Sequence, residues 1–351
     1  MIAGRRIRVL VVDDSALARR ALSEALGQDP SIDVVGAAED AYQARELILG
    51  LSPDVVTLDL QMPLMDGLTF LRILMEHHPV PVIVVSNLTP TGSSLAMEAL
   101  EAGAFDVLQK PDGRQGVAAM GRRLIAQVHA AAGSKRRARR SEPSRAVAGT
   151  GSTRPVGARQ RMILIGASTG GVEALRYLLP RLPADSPPIV VVQHIPAHFS
   201  KVMSEHLDRI TPFEVREARD GDELRPGLCL VAPGDFHVLL VRQGNVHRLR
   251  VIQSPPVNHS RPSVDVLFRS AAEQVGREVV AVLLTGMGSD GARGMGMLRT
   301  AGAATLVESE ESCVVFGMPK AAINLGAAQE IVTLEAMPEA IIEAVYRRSA
   351  S

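Results

Sequence analysis

The stretch IRVLVVDDSALARRALSEAL, residues 7–26, contains the pattern that decides the fold of the first half of the chain. Its first six residues form an almost continuous apolar run, which predicts a strand covered on both faces of a parallel sheet. After two aspartates, apolar residues return at helical spacing, which predicts an amphipathic helix. The stretch is therefore one strand–helix unit of an α/β fold.

The same unit recurs along the chain. Apolar runs such as DVVTLDL (54–60) and PVIVVS (81–86) alternate with helical stretches, and we predict a doubly wound (βα)5 domain over residues 1–129. The alternation resumes at RMILIGAS (161–168) and predicts a second doubly wound α/β domain over residues 162–351. Its strand-rich middle, from FEVREA (213–218) to HRLRVI (247–252), predicts an antiparallel excursion.

A basic segment, residues 130–161, separates the two predicted domains. It is rich in Gly, Ser and Pro, shows no apolar periodicity, and between residues 130 and 162 has nine Lys or Arg against one Glu. These features are typical of a flexible linker. Such a charge run could bind nucleic acid or anionic lipid, but no aromatic residues interleave with it. We therefore expect a solvated linker and no nucleic-acid partner.

Composition narrows the functional classes. Of the 351 residues, 46% are apolar and 22% charged, which indicates a globular protein with two cores. No stretch reaches the ~20 apolar residues that span a bilayer, so we expect no membrane insertion. Cys229 and Cys313 match no metal-ligand spacing and are interpreted as free thiols of a cytoplasmic protein. We expect a monomer.

Polar residues follow the predicted strands of the first domain, where a doubly wound sheet binds its ligands. Asp13 and Asp14 follow the first strand, Asp59 the third, Ser86 the fourth and Lys110 the fifth. Clustered carboxylates suit Mg²⁺, and a cation there would leave Asp59 as nucleophile towards a phosphoryl donor. Lys110 and Ser86 could then hold the phosphoryl oxygens. Taken singly, each residue is better explained as a strand-end cap or a surface charge; their joint placement favours the site.

The motifs VVDDS (11–15), LDLQMPLMDG (58–67) and the Lys110–Pro111 pair resemble the receiver domain of two-component response regulators, over residues 5–127. The resemblance implies that a histidine kinase phosphorylates Asp59. It also implies that Asp13, Asp14, Asp59 and the backbone carbonyl of Gln61 surround Mg²⁺. One position departs from the family, because Val107 stands where an aromatic switch residue is usual, with Phe105 two residues earlier.

The second domain opens with GASTGG, residues 166–171, between a predicted strand and a predicted helix. This G-x-S-x-G pattern lifts a serine hydroxyl, here Ser168, out of a sharp turn. His194 directly follows the apolar run PPIVVVQ, and Asp290 lies shortly after EVVAVLL. A nucleophile, a base and an acid at three strand ends predict a Ser-His-Asp triad. Their order along the chain differs from that of α/β-hydrolases.

Each of these elements has an alternative. The glycine-rich turn could hold a dinucleotide, but the G-x-G-x-x-G spacing is missing. His194 and His198 are four residues apart and could ligate a metal, although Pro196 between them disrupts the helix that such a pair needs. Asp290 could simply cap a helix that starts at Gly291.

The stretches IGASTGG, VVQHIP, VNHSRPSVDVLFRSAA and LLTGMGSDGA resemble chemotaxis protein-glutamate methylesterases, over residues 162–347. The resemblance implies hydrolysis of γ-glutamyl methyl esters on chemoreceptors, usually with deamidation of glutamines, and no cofactor for the esterase. It assigns Ser168 as nucleophile, His194 as base and Asp290 as its orienting partner. Backbone amides near Thr169 and Met287 are the implied oxyanion donors, and His259 and Arg261 are expected to shape the substrate groove.

A receiver placed before an esterase predicts regulation, with phosphorylation of Asp59 relieving inhibition of the catalytic domain. Two other hypotheses stay open at this point. The second domain could be a binding module that has lost its chemistry, although intact Ser168, His194 and Asp290 argue against it. The enzyme could also serve a chemosensory array that controls an output other than swimming, and no residue pattern separates these pathways.

Overall fold

A computed structural model of the chain describes residues 5–87, 90–110, 114–133, 161–197 and 199–347, without the side chains of residues 90–93 and 114–119. The chain divides into two compact units, Met1–Lys135 and Arg136–Ser351. Most of the predicted linker, residues 134–160, lies outside the described residues. Its first four residues, 130–133, belong to the last helix of the first unit.

The first unit alternates strands and helices as predicted. Its strands are β1 (Ile7–Val12), β2 (Ile32–Ala38), β3 (Val55–Leu58), β4 (Val82–Ser86) and β5 (Asp106–Gln109). Its helices are α1 (Ala16–Leu26), α2 (Ala41–Leu51), α3 (Gly67–His77), α4 (Pro90–Glu101) and α5 (Arg114–Gly133). All strand pairs are parallel, in the order β2-β1-β3-β4-β5. The doubly wound (βα)5 fold is confirmed.

Side-chain caps begin three of these helices where the strand–helix turns require them. Ser15 accepts a hydrogen bond from the first turn of α1, Asp40 from that of α2, and Asp66 from that of α3. A cap of this kind satisfies a backbone N–H that has no partner inside the helix. Two of the strand–helix connections are short, with three residues between β1 and α1 and two between β2 and α2, whereas eight residues, 59–66, connect β3 to α3.

The second unit is larger. Its strands are β6 (Met162–Ala167), β7 (Ile189–Gln193), β8 (Glu214–Glu217), β9 (Leu228–Val231), β10 (His237–Gln243), β11 (Val246–Ile252), β12 (Val279–Leu283), β13 (Ala304–Glu308) and β14 (Glu330–Val332). Its helices are α6 (Gly171–Leu178), α7 (Phe199–Ile210), α8 (Val264–Gln274), α9 (Ala292–Thr300), α10 (Met318–Asn324) and α11 (Met337–Tyr346). Short 3₁₀ turns occur at Leu179–Arg181 and Gly276–Glu278.

The second unit contains fewer antiparallel strands than its strand-rich middle segment predicted. Only β10 and β11 pair antiparallel, as a separate hairpin. Strands β8 and β9 instead join a seven-stranded sheet whose pairs are all parallel. Every residue of β9 is buried, because an inner strand of a parallel sheet is covered on both faces.

The order of this sheet, β14-β13-β12-β6-β7-β9-β8, determines where a site can form. The first strand of the unit, β6, lies between β12 and β7, so the chain winds away from it in both directions. A crevice opens at such a reversal, outside the carboxyl ends of the strands. The residues that follow β6, β7 and β12 therefore converge.

Candidate functional site

The first site is an acidic cluster at the carboxyl edge of the five-stranded sheet. Asp13 and Asp59 directly follow the paired ends of β1 and β3. Carboxylate oxygens of Asp13, Asp14 and Asp59 all lie within 4.8 Å of one another. Asp13 and Asp59 are buried, whereas Asp14 is exposed. Three hard oxygen ligands this close, one of them open to solvent, fit a divalent cation such as Mg²⁺.

Lys110 joins this cluster from the end of β5. Its Nζ lies 2.6 Å from Asp59 Oδ2 and 2.7 Å from Asp13 Oδ2. Burial lowers the pKa of Lys110, but the two carboxylates outweigh burial and raise it. Burial raises the pKa of Asp13 despite the opposing effect of Lys110. Lys110 is therefore a charged partner of the acidic cluster and not an isolated surface residue.

Two further predicted residues border the cluster. Ser86, the last residue of β4, is buried, and its Oγ has no hydrogen-bond partner among the described residues. Its carbonyl accepts a hydrogen bond from the Lys110 amide at 3.0 Å, which places the two residues side by side. The amide of Gln61 donates to Asp59 Oδ1 at 3.3 Å.

At the switch position, the small side chain of Val107 is buried within β5. Phe105 packs against the hydrophobic core of the unit. The nearby aromatic ring therefore contributes to the core.

The second site is built on the turn that carries Ser168. The Ser168 amide donates to the Thr285 carbonyl at 3.0 Å, and its carbonyl accepts from the Gly171 amide and from Gln193 Nε2, both at 2.7 Å. Gly170 has φ +79°, and a Cβ there would lie 2.6 Å from Val314 Cβ. Glycine at position 170 is thus required by both backbone conformation and space.

His194 and Asp290 form a close pair beside this turn. His194 Nε2 lies 2.8 Å from Asp290 Oδ2, with 8% and 3% of the two side chains exposed. An ionised carboxylate only accepts, so we assign the proton to Nε2 and leave Nδ1 as the acceptor. The His194 amide donates to the carbonyl of Ala167, which directly precedes Ser168. Ser260 Oγ lies 3.4 Å from His194 Nδ1.

Further donors surround Asp290, and sequence reasoning missed them. Its Oδ1 accepts from Asn258 Nδ2 at 2.7 Å and Ser263 Oγ at 2.8 Å, and its Oδ2 accepts from the Val264 amide at 2.6 Å. Burial raises the pKa of Asp290, but the hydrogen bonds and the attraction of His194 outweigh it, so the pKa lies below its usual value. Asp290 is therefore an ionised acceptor and not merely a helix cap.

The two backbone segments predicted to supply oxyanion donors lie close to Ser168. Thr169 is buried directly after it, and its carbonyl accepts from Thr285 Oγ1 at 3.0 Å. Met287 belongs to the loop after β12, which passes close to Ser168, since a Cβ on Gly286 would lie 2.7 Å from Ser168 Cβ. Both backbone segments thus border the serine turn.

The residues expected to shape the substrate groove, Arg261 and His259, lie in the segment before α8. Arg261 donates to Asp235 Oδ1 at 2.9 Å and to the Ser254 carbonyl at 2.8 Å, while His259 is exposed. His198 lies outside the described residues. Within the described ranges, the acidic cluster of the first unit is the one group of three candidate metal ligands. No helix in the described part of the chain is long and apolar enough to cross a membrane.

Each of the two units matches a known protein family. The CheB methylesterase family model matches residues 163–341, and the response regulator receiver domain model matches residues 9–120. A protein-glutamate methylesterase/protein-glutamine glutaminase of Syntrophus aciditrophicus is 45% identical over 342 residues, covering 97% of this chain and 99% of the relative. One from Pseudomonas aeruginosa is 46% identical over 343 residues, covering 97% and 98%.

A solved structure provides a further comparison for the second unit. The Thermotoga maritima CheB methylesterase catalytic domain is 41% identical, with a TM-score of 0.52, and the match covers 53% of this chain and 98% of that one. The full-length relatives and the two family models lead to one conclusion: the chain belongs to the CheB methylesterase family and carries a response regulator receiver domain ahead of the catalytic domain.

Proposed function

We propose that this chain is a phosphorylation-activated hydrolase that demethylates γ-glutamyl methyl esters of chemoreceptors and deamidates their glutamines. The observation that carries the proposal is the 2.8 Å hydrogen bond between His194 Nε2 and Asp290 Oδ2, beside the strand end that bears Ser168. The names of the full-length relatives, which are methylesterases and glutaminases, support the same two reactions.

The proposed reaction begins with attack of Ser168 Oγ on the ester carbonyl carbon. Its proton passes to His194 Nδ1, because Nε2 already carries the proton bonded to Asp290. Backbone N–H groups near Thr169 and Met287 stabilise the oxyanion, helped by the N-terminus of α6. Collapse of this intermediate breaks the bond to the methoxy oxygen, which takes the proton from His194 and leaves as methanol.

Water then completes the reaction. His194 Nδ1 accepts a proton from the water, the hydroxide adds to the acyl carbon, and Ser168 leaves with the proton returned by His194. The product is a glutamate side chain. For a glutamine substrate the same steps release ammonia in place of methanol. These steps require no cofactor.

For the receiver we propose that Asp59 accepts a phosphoryl group from a histidine kinase. Asp13, Asp14 and Asp59, with the carbonyl of Gln61, would hold Mg²⁺, which when bound supplies positive charge against the incoming phosphoryl donor. Lys110 Nζ, which lies 2.6 Å from Asp59 Oδ2, would donate to a phosphoryl oxygen, and so would the Ser86 hydroxyl. We further propose a cytoplasmic monomer, with two free cysteines supporting a reducing compartment.

Methanol release from methylated chemoreceptor membranes tests this function. Ser168→Ala should abolish methanol release. The control is Ser94→Ala, at an exposed serine on α4, and this variant should release methanol like the wild type. Adding a small acyl phosphate with Mg²⁺ should raise release by the wild type. If competent methylated receptors yield no methanol, the chain is not an esterase for this substrate, and the binding-module hypothesis gains support.

A further inference from the structure

A tight turn precedes α8 and reaches the catalytic pair. The amide of Val257 donates to the Ser260 carbonyl at 3.0 Å, and the amide of Ser260 donates back to the Val257 carbonyl at 2.9 Å. The two central residues, Asn258 and His259, have φ of +51° and +63°. This is the left-handed backbone of a two-residue hairpin turn, in which asparagine is one of the few side chains tolerated.

The turn places the Asn258 side chain between two buried carboxylates. Its Nδ2 lies 2.7 Å from Asp265 Oδ2 and 2.7 Å from Asp290 Oδ1. Because both partners are acceptors, only the NH₂ group of the amide can satisfy them. Each of its two hydrogens therefore bonds one carboxylate, and neither interaction adds charge to the site.

These contacts restrict how Asp290 can be oriented. Asn258, Ser263 and the Asp265 amide donate to Oδ1, which leaves Oδ2 to accept from His194 Nε2 and the Val264 amide. Asp265 is itself anchored, since its Oδ1 accepts from the Gly294 amide in α9 at 2.7 Å. Asn258 thus links Asp290 to Asp265, which is in the first turn of α8 and is held by the first turn of α9.

We infer that Asn258 is a positioning residue of this active site, whose amide bridges Asp290 and Asp265 and holds Asp290 Oδ2 against His194. The inference rests on the proposed esterase function. Asn258 is exposed, whereas the carboxylates it bridges are buried. The residue can therefore be replaced without removing a side chain from the core.

The charged groups around Asp290 predict how the pH–rate profile should change when the Asn258 amide is removed. Asp265 of α8 faces Asp290, as do His194 and, from β10, His237; Arg269 faces Asp265. Burial raises the pKa of Asp290, while hydrogen bonds from His194, Asn258 and Ser263 lower it. Without the hydrogen bond from Asn258, the ionised form of Asp290 is less stabilised, so this carboxylate binds a proton more readily. Loss of Asn258 should therefore move the acid limb of the pH–rate profile to higher pH.

Two substitutions separate the amide from the backbone of the turn. Asn258→Gly removes the side chain but fits the left-handed conformation, and Asn258→Asp keeps the shape but replaces the donor with a third carboxylate. The matched control is Asn245→Gly, at an exposed position in the turn between β10 and β11. All are compared in the full chain by methanol release between pH 5 and 9.

We expect kcat to fall about 10- to 100-fold in both Asn258 variants, the range for a lost hydrogen bond to a charged group. KM should stay within about threefold, because the amide acts on Asp290 and not on the ester. The acid limb should move upward in Asn258→Gly and further in Asn258→Asp, since the latter adds negative charge. Asn245→Gly should match the wild type.

An unshifted acid limb in both variants, or a change confined to KM, would overturn the positioning role. The low-field proton NMR signal of His194 Nε2–H provides a second readout that needs no substrate. This signal should move upfield and broaden in both Asn258 variants, because the Nε2–H···Oδ2 hydrogen bond is held less well, and an unchanged signal would overturn the inference even if kcat falls. Wild-type protein that shows this signal but releases no methanol would instead contradict the proposed function alone.

Discussion

Asp290 accepts hydrogen bonds from His194, Asn258, Ser263 and the Val264 amide, and this set of donors explains its chemistry. Burial by itself would raise the pKa of this carboxylate, yet the donors and the attraction of His194 hold the pKa below the ordinary value. Its contribution to stability is therefore present above the unfolded-state pKa of about 3.9 and is lost as pH falls through the lower folded value. Near neutral pH it is a fixed negative charge beside His194.

Asp290→Asn tests this role at the residue scale. An amide has one acceptor oxygen, so it cannot accept from all five donors, which include the Asp265 amide at 3.3 Å. If its NH₂ faces His194, the imidazole proton moves to Nδ1. His194 then has no base to offer Ser168, and kcat should fall by about 10⁴ with little change in KM. Methanol release measured under saturating substrate checks this. A loss of less than about tenfold would contradict the assigned tautomer.

At the scale of elements, strand β13 supports the serine turn through the segment that follows β12. Glu308, the last residue of β13, is fully buried and accepts the Thr285 amide at 2.8 Å. Thr285 in turn accepts the Ser168 amide with its carbonyl and donates its hydroxyl to the Thr169 carbonyl. A strand that carries none of the proposed catalytic residues thus helps to fix the turn that carries Ser168.

Glu308→Gln should stabilise the fold in a pH-dependent way. Burial raises the pKa of Glu308, with the Thr285 hydrogen bond opposing it. Because the pKa of Glu308 is higher in the folded chain than in the unfolded chain, its protonated form stabilises the fold. This stabilisation is complete below the unfolded pKa of about 4.3 and is lost as pH rises through the folded pKa. Glutamine keeps an acceptor for Thr285 without a buried charge, so Tm at pH 8 should rise by a few degrees, as about 1 kcal/mol would produce.

Thermal unfolding followed by circular dichroism from pH 4 to 8 measures this difference. The difference in Tm between Glu308→Gln and the wild type should shrink towards pH 4, where the side chain at position 308 is neutral in both proteins. The matched control is Glu343→Gln, an exposed residue on α11, for which no such trend is expected. A gain in Tm that is equal at every pH would argue against the titration of Glu308 as its cause.

At the scale of the whole molecule, each unit places its site at the carboxyl edge of its own parallel sheet. In the receiver, the single positive charge of Lys110 offsets part of the negative charge of Asp59 and Asp13, and a phosphoryl group on Asp59 would change that balance. Regulation then requires a difference in free energy between two states of the chain. Couplings of about 1–3 kcal/mol correspond to roughly 5- to 150-fold activation, so we expect graded control.

Asp59→Asn and removal of residues 1–133 test this control together. The cut follows the end of α5 at Gly133, so no described helix is interrupted. A small acyl phosphate should activate the wild type within that range and leave Asp59→Asn unchanged. The truncated chain should exceed the basal activity of the full chain and ignore the phosphodonor. A truncated chain slower than the full-length protein would contradict inhibition by the receiver.

The sequence was sufficient to predict both α/β units and to place Ser168, His194 and Asp290 near neighbouring strand ends, because each of them comes at or soon after the end of a buried apolar run. Parallel strands bring such ends to one edge, so a local pattern sufficed. The tertiary structure alone decided that β8 and β9 join the parallel sheet. It also decided that Asn258 reaches Asp290 across 32 positions and that Thr285 reaches Thr169 across 116. These are contacts between distant segments of chain, and no local periodicity specifies which side chain meets which partner.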